Sequence, residues 1–188
     1  ALVAGDLDRT ISNAESALAL AGTDDRLTLA GPRALKGLAS WAVGDLRSAY
    51  EGYTAAAHDL RAAGHVADVL GCTVTLVDLA LALGRLADAQ RLATEALDLA
   101  RSATTSEVVR GTADMWVALG RAAWQYGDAA TSARHLDRAA DLGEGAGLPQ
   151  QPYRWRVAMA DVRAAAGDWR AADALLEEAD RLYNGDFS

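Results

Sequence analysis

A short phrase recurs through this chain as Gly5-Asp6-Leu7, Gly44-Asp45-Leu46, Gly84-Arg85-Leu86, Gly127-Asp128-Ala129 and Gly167-Asp168-Trp169. Its glycines stand 39, 40, 43 and 40 residues apart. Each phrase reads as a helix stop, a cap and a helix start. The glycine accepts the left-handed backbone that ends a helix. The aspartate accepts hydrogen bonds from the first free amides of the next helix, and its charge suits the positive end of the dipole. After Gly44, the residues Leu46, Ala49, Tyr50 and Tyr53 then fall on one helical face. A period near 40 with one interior turn per unit means two helices per repeat, each repeat burying its apolar face against the next. Composition agrees, because the apolar residues are mostly Ala and Leu, with one Phe and three prolines. Such a chain is helix-forming almost everywhere.

The phrase divides the chain into helices expected over residues 6–20, 23–43, 45–63, 65–83, 86–102, 104–126, 128–143, 150–166 and 168–183. Residues 1–4 read as the tail of an earlier helix. Thr23 is a candidate cap. Thr104 followed three residues later by Glu107 is a capping box. Pro32 falls inside the second helix and is expected to kink it. The Gly-rich run 143–149 is the loosest stretch.

Counting from each turn glycine exposes a second regularity. Five residues on stand Thr10, Ala49, Ala89, Ser132 and Ala172. Twelve on stand Ala17, Ala56, Ala96, Ala139 and Ala179. Seven before stand Gly37, Val77, Gly120 and Ala160. Small residues at these places let the two helices of a repeat approach closely. This is the tetratricopeptide (TPR) pattern. HEAT and armadillo stacks share the period but give no reason for small residues around such a turn. The expected fold is all-α, a right-handed TPR-like solenoid of about nine antiparallel helices. Residues 1–188 are expected to form a single repeat domain, a fragment of a longer chain.

Two segments carry a narrower resemblance. Arg154-Trp155-Arg156-Val157-Ala158-Met159-Ala160 precedes Ala166-Gly167-Asp168. Leu175-Leu176-Glu177-Glu178-Ala179-Asp180-Arg181-Leu182-Tyr183 precedes Gly185-Asp186-Phe187-Ser188. Both resemble the TPR region of the large ATP-binding, LuxR-type transcriptional regulators, the MalT-like group common in actinobacteria. The resemblance implies a nucleotide-binding domain before the repeats and a helix-turn-helix after them. It also implies a repeat region that senses an inducer, a sugar in the best-known members, and helps self-association. The chain itself contains no G-x-x-x-x-G-K-[ST] phosphate loop and no basic recognition helix.

Charge and composition exclude several classes. The formal net charge is −8 and Lys36 is the only lysine, so the phosphate-neutralising patch of a nucleic-acid binder is missing. No apolar run reaches membrane-spanning length. The lone Cys72 excludes an intrachain disulfide and a cysteine metal cluster, and fits a reducing, cytoplasmic setting. His58, His65 and His135 are scattered, and none is expected to share a metal site with a second ligand at helical spacing. The neighbouring carboxylates Asp24-Asp25 and Glu177-Glu178 point apart on a helix, the first pair as helix-start charge and the second as a solvated face. No catalytic constellation, cofactor or metal site is expected.

Binding is the better prospect. In a TPR stack the first helix of each repeat lines the concave groove. Positions 13, 6, 3 and 2 before each glycine then place Trp41, Asp78, Asp114, Arg121, Trp124, Gln125, Arg154 and Asp161 on the groove wall. Aromatic faces beside carboxylates, guanidinium groups and an amide suit a sugar or another polyhydroxylated ligand. A row of Asp and Arg across neighbouring helices equally reads as a charge ladder that ties repeats together. Trp116, Trp155 and Trp169 are expected to pack internally. The first expectation is thus a small-molecule inducer, or a protein or peptide, in the groove of a sensing and self-associating regulator domain. A generic TPR protein-interaction scaffold is the alternative, and a simple spacer is the plainest reading.

Overall fold

The computed structural model describes residues 6–22, 25–103 and 108–186, apart from the side chains of Glu144 and Asp186. Gly5, Thr23, Asp24, Thr104, Glu107, Phe187 and Ser188 lie outside the described residues, and with them the first turn phrase and the expected capping box. Among the described residues there are nine α-helices and no strand. They are α1 (Leu7–Leu20), α2 (Arg26–Ala42), α3 (Leu46–Ala62), α4 (Val66–Ala82), α5 (Leu86–Ala103), α6 (Thr112–Gln125), α7 (Ala129–Asp141), α8 (Gln151–Ala165) and α9 (Trp169–Asp186). They form two compact units, Ala1–Arg85 and Leu86–Ser188.

The turn phrases behave as their chemistry requires. Gly44 has φ +84°. Its N–H donates to the Trp41 carbonyl, and the next amide, Asp45, reaches back to Ser40 at 2.9 Å. That pair of backward bonds satisfies carbonyls the helix end leaves open. The Asp45 carboxylate then accepts the Ser48 N–H at 3.0 Å, opening α3. Hydrogen bonds from the Ser48 side chain and then from its amide hold the Asp45 carboxyl below its usual range. Asp128 and Asp168 repeat the arrangement on the amides of Thr131 and Ala171. At Gly84 the cap position holds Arg85, whose side chain has no acceptor. Its guanidinium lies 4.6 Å above the Tyr50 ring instead.

In the first unit α1, α2, α3 and α4 pack each on the next. Asp25 caps α2 by accepting the Thr28 N–H at 3.1 Å, and the helix then runs through Pro32 to Ala42. In the second unit α5 packs on α6, α6 on α7 and α8 on α9, and α8 also contacts both α6 and α7. Its core gathers Val117, Leu136, Ala139, Ala158 and Met159, with Trp116 and Trp155 packed against them.

The small positions are contact positions. A Cβ added at Gly37 would sit 3.1 Å from the Ala49 carbonyl and 3.0 Å from the Tyr53 ring. One added at Gly120 would sit 3.3 Å from the Ser132 carbonyl and 2.9 Å from Leu136. The residue seven before a turn glycine therefore lies against the backbone of the residue five after it, once in each unit. Ala49, Ala89, Ser132 and Ala172 are buried accordingly.

Candidate functional site

The residues expected on the groove wall divide between the units. Trp41 on α2 and Asp78 on α4 belong to the first, and both are half-buried. The other six belong to the second, where α6 and α8 pack together. Arg121, Trp124 and Gln125 occupy the last two turns of α6, with Arg121 and Trp124 half-buried and Gln125 exposed. Arg154 on α8 is half-buried and Asp161 exposed.

Asp114 differs from its companions. It is buried in the first turn of α6, and its Oδ2 accepts the Leu148 N–H at 2.8 Å. Burial pushes its carboxyl up to about 6, against the opposing pull of the Leu148 amide and the positive charges of Arg154 and Arg110. Asp114 and Arg154 both stand thirteen residues before their turn glycines, so adjacent repeats set these opposite charges at one register position. The Leu148 bond is one of three across this end of the unit. Gly111 N–H donates to the Ala146 carbonyl at 2.9 Å, and Arg110 Nε to the Gly147 carbonyl at 3.4 Å. Asp114 thus anchors the 143–149 connection to the start of α6.

Sequence reading missed a second buried carboxylate. Asp59 on α3 is fully buried, and its two oxygens take the guanidinium groups of Arg26, at 3.2 Å, and Arg33, both from α2. His58 Nδ1 lies 3.7 Å away. The spacing of Arg26 and Arg33, seven residues apart on one helical face, was the available signal. A carboxylate held by two cations clamps α3 to α2, and removing it would leave two guanidinium groups without their counter-charge.

The remaining chemistry-bearing residues are structural in their settings. Burial pushes the Cys72 thiol up to about 11, away from a reactive thiolate. His135 lies tilted against Trp116 with ring centroids 5.4 Å apart. Burial, and then the Arg134 charge, lower its pKa. Trp155 Nε1 donates to the Leu136 carbonyl at 2.7 Å, pinning α8 to α7. Trp169 departs from the packing role expected of it, being 66% exposed on the first turn of α9. Among the described residues no group of three or more His, Cys, Asp or Glu could hold a metal ion. No helix there is long and apolar enough to cross a membrane.

Close-packed helix pairs, left-handed glycine turns and small contact positions define a TPR-like helical-repeat protein. Solved structures agree. The chain is similar to BtubC (BKLC) from P. vanneervenii, with 21% identity and a TM-score of 0.73, covering 100% of this chain and 77% of that one. It is similar to a Podospora anserina protein of nearly identical TPR-like repeats, with 15% identity and a TM-score of 0.65 over 98% of this chain and 90% of that one. MamA shares 15% identity at a TM-score of 0.55, covering 98% and 92%. At these identities the likeness is one of fold. No curated protein matches the chain. The family model of the MalT-like TPR region matches residues 1–188, and the chain belongs to that family.

Proposed function

We propose that this MalT-like TPR region is the sensing and self-associating part of a cytoplasmic transcriptional regulator of the LuxR type. A small-molecule inducer, a sugar or another polyhydroxylated compound, binds against α6 and α8. The observation that carries this reading is the chemistry of one packed helix pair. Arg121, Trp124 and Gln125 lie on α6, Arg154 and Asp161 lie on α8, and the two helices pack together. A tryptophan face supplies apolar contact to a sugar ring, and the amide and charged groups select hydroxyl orientation. Trp41 on α2 and Asp78 on α4 hold equivalent register positions within the first unit. Signalling is linkage: an inducer that prefers one assembly state shifts that equilibrium by its differential affinity.

Titrating the chain with glucose, maltose and maltotriose while following tryptophan fluorescence tests the reading. A saturable change that Trp124→Ala abolishes, with a matching shift in sedimentation coefficient, supports it. Absence of any response to all three sugars argues for the second reading, a protein-interaction scaffold in which the same face takes a peptide. Membership in a TPR family favours that alternative, because TPR repeats generally mediate protein–protein interaction.

A further inference from the structure

Two guanidinium groups share one carboxylate at the α2–α3 contact, where one would satisfy it. A single planar fork matches both oxygens of a buried aspartate. Asp59 instead takes Arg26 on Oδ1 at 3.2 Å and Arg33 on Oδ2. One negative charge against two positive charges leaves an excess of cation. Asp25, next to Arg26 in sequence, does not supply the balance, since its two oxygens accept from the Thr28 amide and hydroxyl. The cluster also has an inner and an outer side. Asp59 is fully buried. The Arg26 and Arg33 side chains are 44% and 32% exposed, and His58, whose Nδ1 lies 3.7 Å from Asp59 Oδ1, is 70% exposed. The carboxylate faces inward and the cations face water. Both α1 and α3 pack on α2, so this exposure holds with a helix on either side in place.

The frame behind the pair is stiff. The two helix backbones meet at glycines, where a Cβ added to Gly52 would sit 2.9 Å from the Gly37 Cα and 3.1 Å from the Arg33 carbonyl. Arg33 is therefore held by its backbone against α3 and by its guanidinium on Asp59. A guanidinium carries more N–H donors than one carboxylate oxygen accepts. The donors that remain are oriented in advance, which lowers the cost of binding to them. A phosphate monoester suits this arrangement. Its oxygens are spaced much like those of a carboxylate, so two guanidinium groups that converge on Asp59 from one side can converge on a phosphate from the other. Its second charge uses the excess cation, which a single carboxylate matches less well.

We propose that Arg26, Arg33 and His58 bind the phosphate group of a small phosphomonoester, with Asp59 as the residue that positions the two guanidinium groups. The site lies in the first unit and does not rest on the inducer reading. Isothermal titration of the whole chain with glycerol 3-phosphate tests it, with acetate as the control at equal ionic strength. Saturable binding of the ester and none of acetate is expected. Arg26→Gln leaves Asp59 paired with Arg33 and removes the excess charge, so affinity should fall roughly tenfold with helical content unchanged. His58→Ala should cost about two- to threefold. Asp59→Asn keeps an acceptor and uncovers a second positive charge, so the ester should bind roughly tenfold more tightly, a gain that a misfolded variant does not produce. Undetectable binding, equal binding of acetate, or undiminished binding by Arg26→Gln overturns the proposal and leaves the cluster a clamp between helices. A phosphoserine peptide that binds more than about tenfold tighter than the ester overturns the small-ester assignment in favour of a phosphorylated partner.

Discussion

Two helix-to-helix connections in this protein reach the same end by different chemistry. Between α3 and α4 the chain turns within residues 63–65. Gly64 takes φ +79°, its N–H donates to the Arg61 carbonyl, and the His65 N–H reaches back to Leu60 at 2.9 Å. These partners lie within five residues. Between α7 and α8 the start is similar, with Gly143 at φ +73° donating to the Ala140 carbonyl. The chain then makes one 3-10 turn, Glu144–Ala146, and reaches α8 only at Gln151. Its backbone groups find distant partners: Ala146 takes the Gly111 amide, and Leu148 gives its amide to Asp114, 34 residues away. A left-handed glycine turn closes its own hydrogen bonds. A longer connection leaves groups that the tertiary structure must satisfy, and here it does so with a buried carboxylate held in a high-pKa setting.

Asp114→Ala should break the long connection hardest. It orphans the Leu148 amide and opens a small void, for a loss of roughly 2–3 kcal/mol in chemical denaturation. Amide exchange should rise over residues 143–150 and stay slow at residues 63–65. The reverse pattern would mean that the carboxylate is not the anchor. Gly64→Ala attacks the short turn through its backbone alone. Forcing a Cβ into the left-handed region should cost about 1–2 kcal/mol. The space around Gly64 is open, so no larger penalty should accompany it.

A pH titration separates the two connections more finely. The Asp114 pKa is raised to about 6 from 3.8, so between those values the folded chain binds more protons than the unfolded one. Stability from this group therefore rises on acidification through pH 6 and levels off near pH 4. Between pH 7 and 5 the gain should be on the order of 1 kcal/mol relative to Asp114→Asn, which keeps an acceptor and loses the titration. Parallel pH curves for the two proteins would dissociate the buried carboxylate from the effect. The smallest change is expected at the caps. Asp45→Ala should lose roughly 1 kcal/mol through the Ser48 amide, read as a lower denaturation midpoint with the slope unchanged.

How legible each feature was depended on how far away its partners stood. Helix starts at Leu46, Ala129 and Trp169 were readable because the glycine and the capping aspartate act on amides within four residues. The course of α2 through Pro32 was readable because helical apolar spacing begins before the proline. The small positions were readable too, since the same steric demand recurs in every repeat. The Asp59 clamp was hidden, because Arg26 and Arg33 lie 33 and 26 residues before it. The burial of Asp114 was hidden as well. Its register position predicted a groove-lining side chain, and only the fold of residues 143–149 covers it. Trp169 looked like a packing residue because tryptophan in helical repeats usually packs, yet it is 66% exposed.

The sequence by itself determined the helices, their turns and the spacing at which they pair, since each is set by backbone conformation, capping and side-chain size over a few residues. The tertiary structure decided which charges are buried and which loop is anchored. Those outcomes depend on water being excluded by groups far along the chain, and a carboxylate at Asp114 or Asp59 has no unusual chemistry until that exclusion takes place.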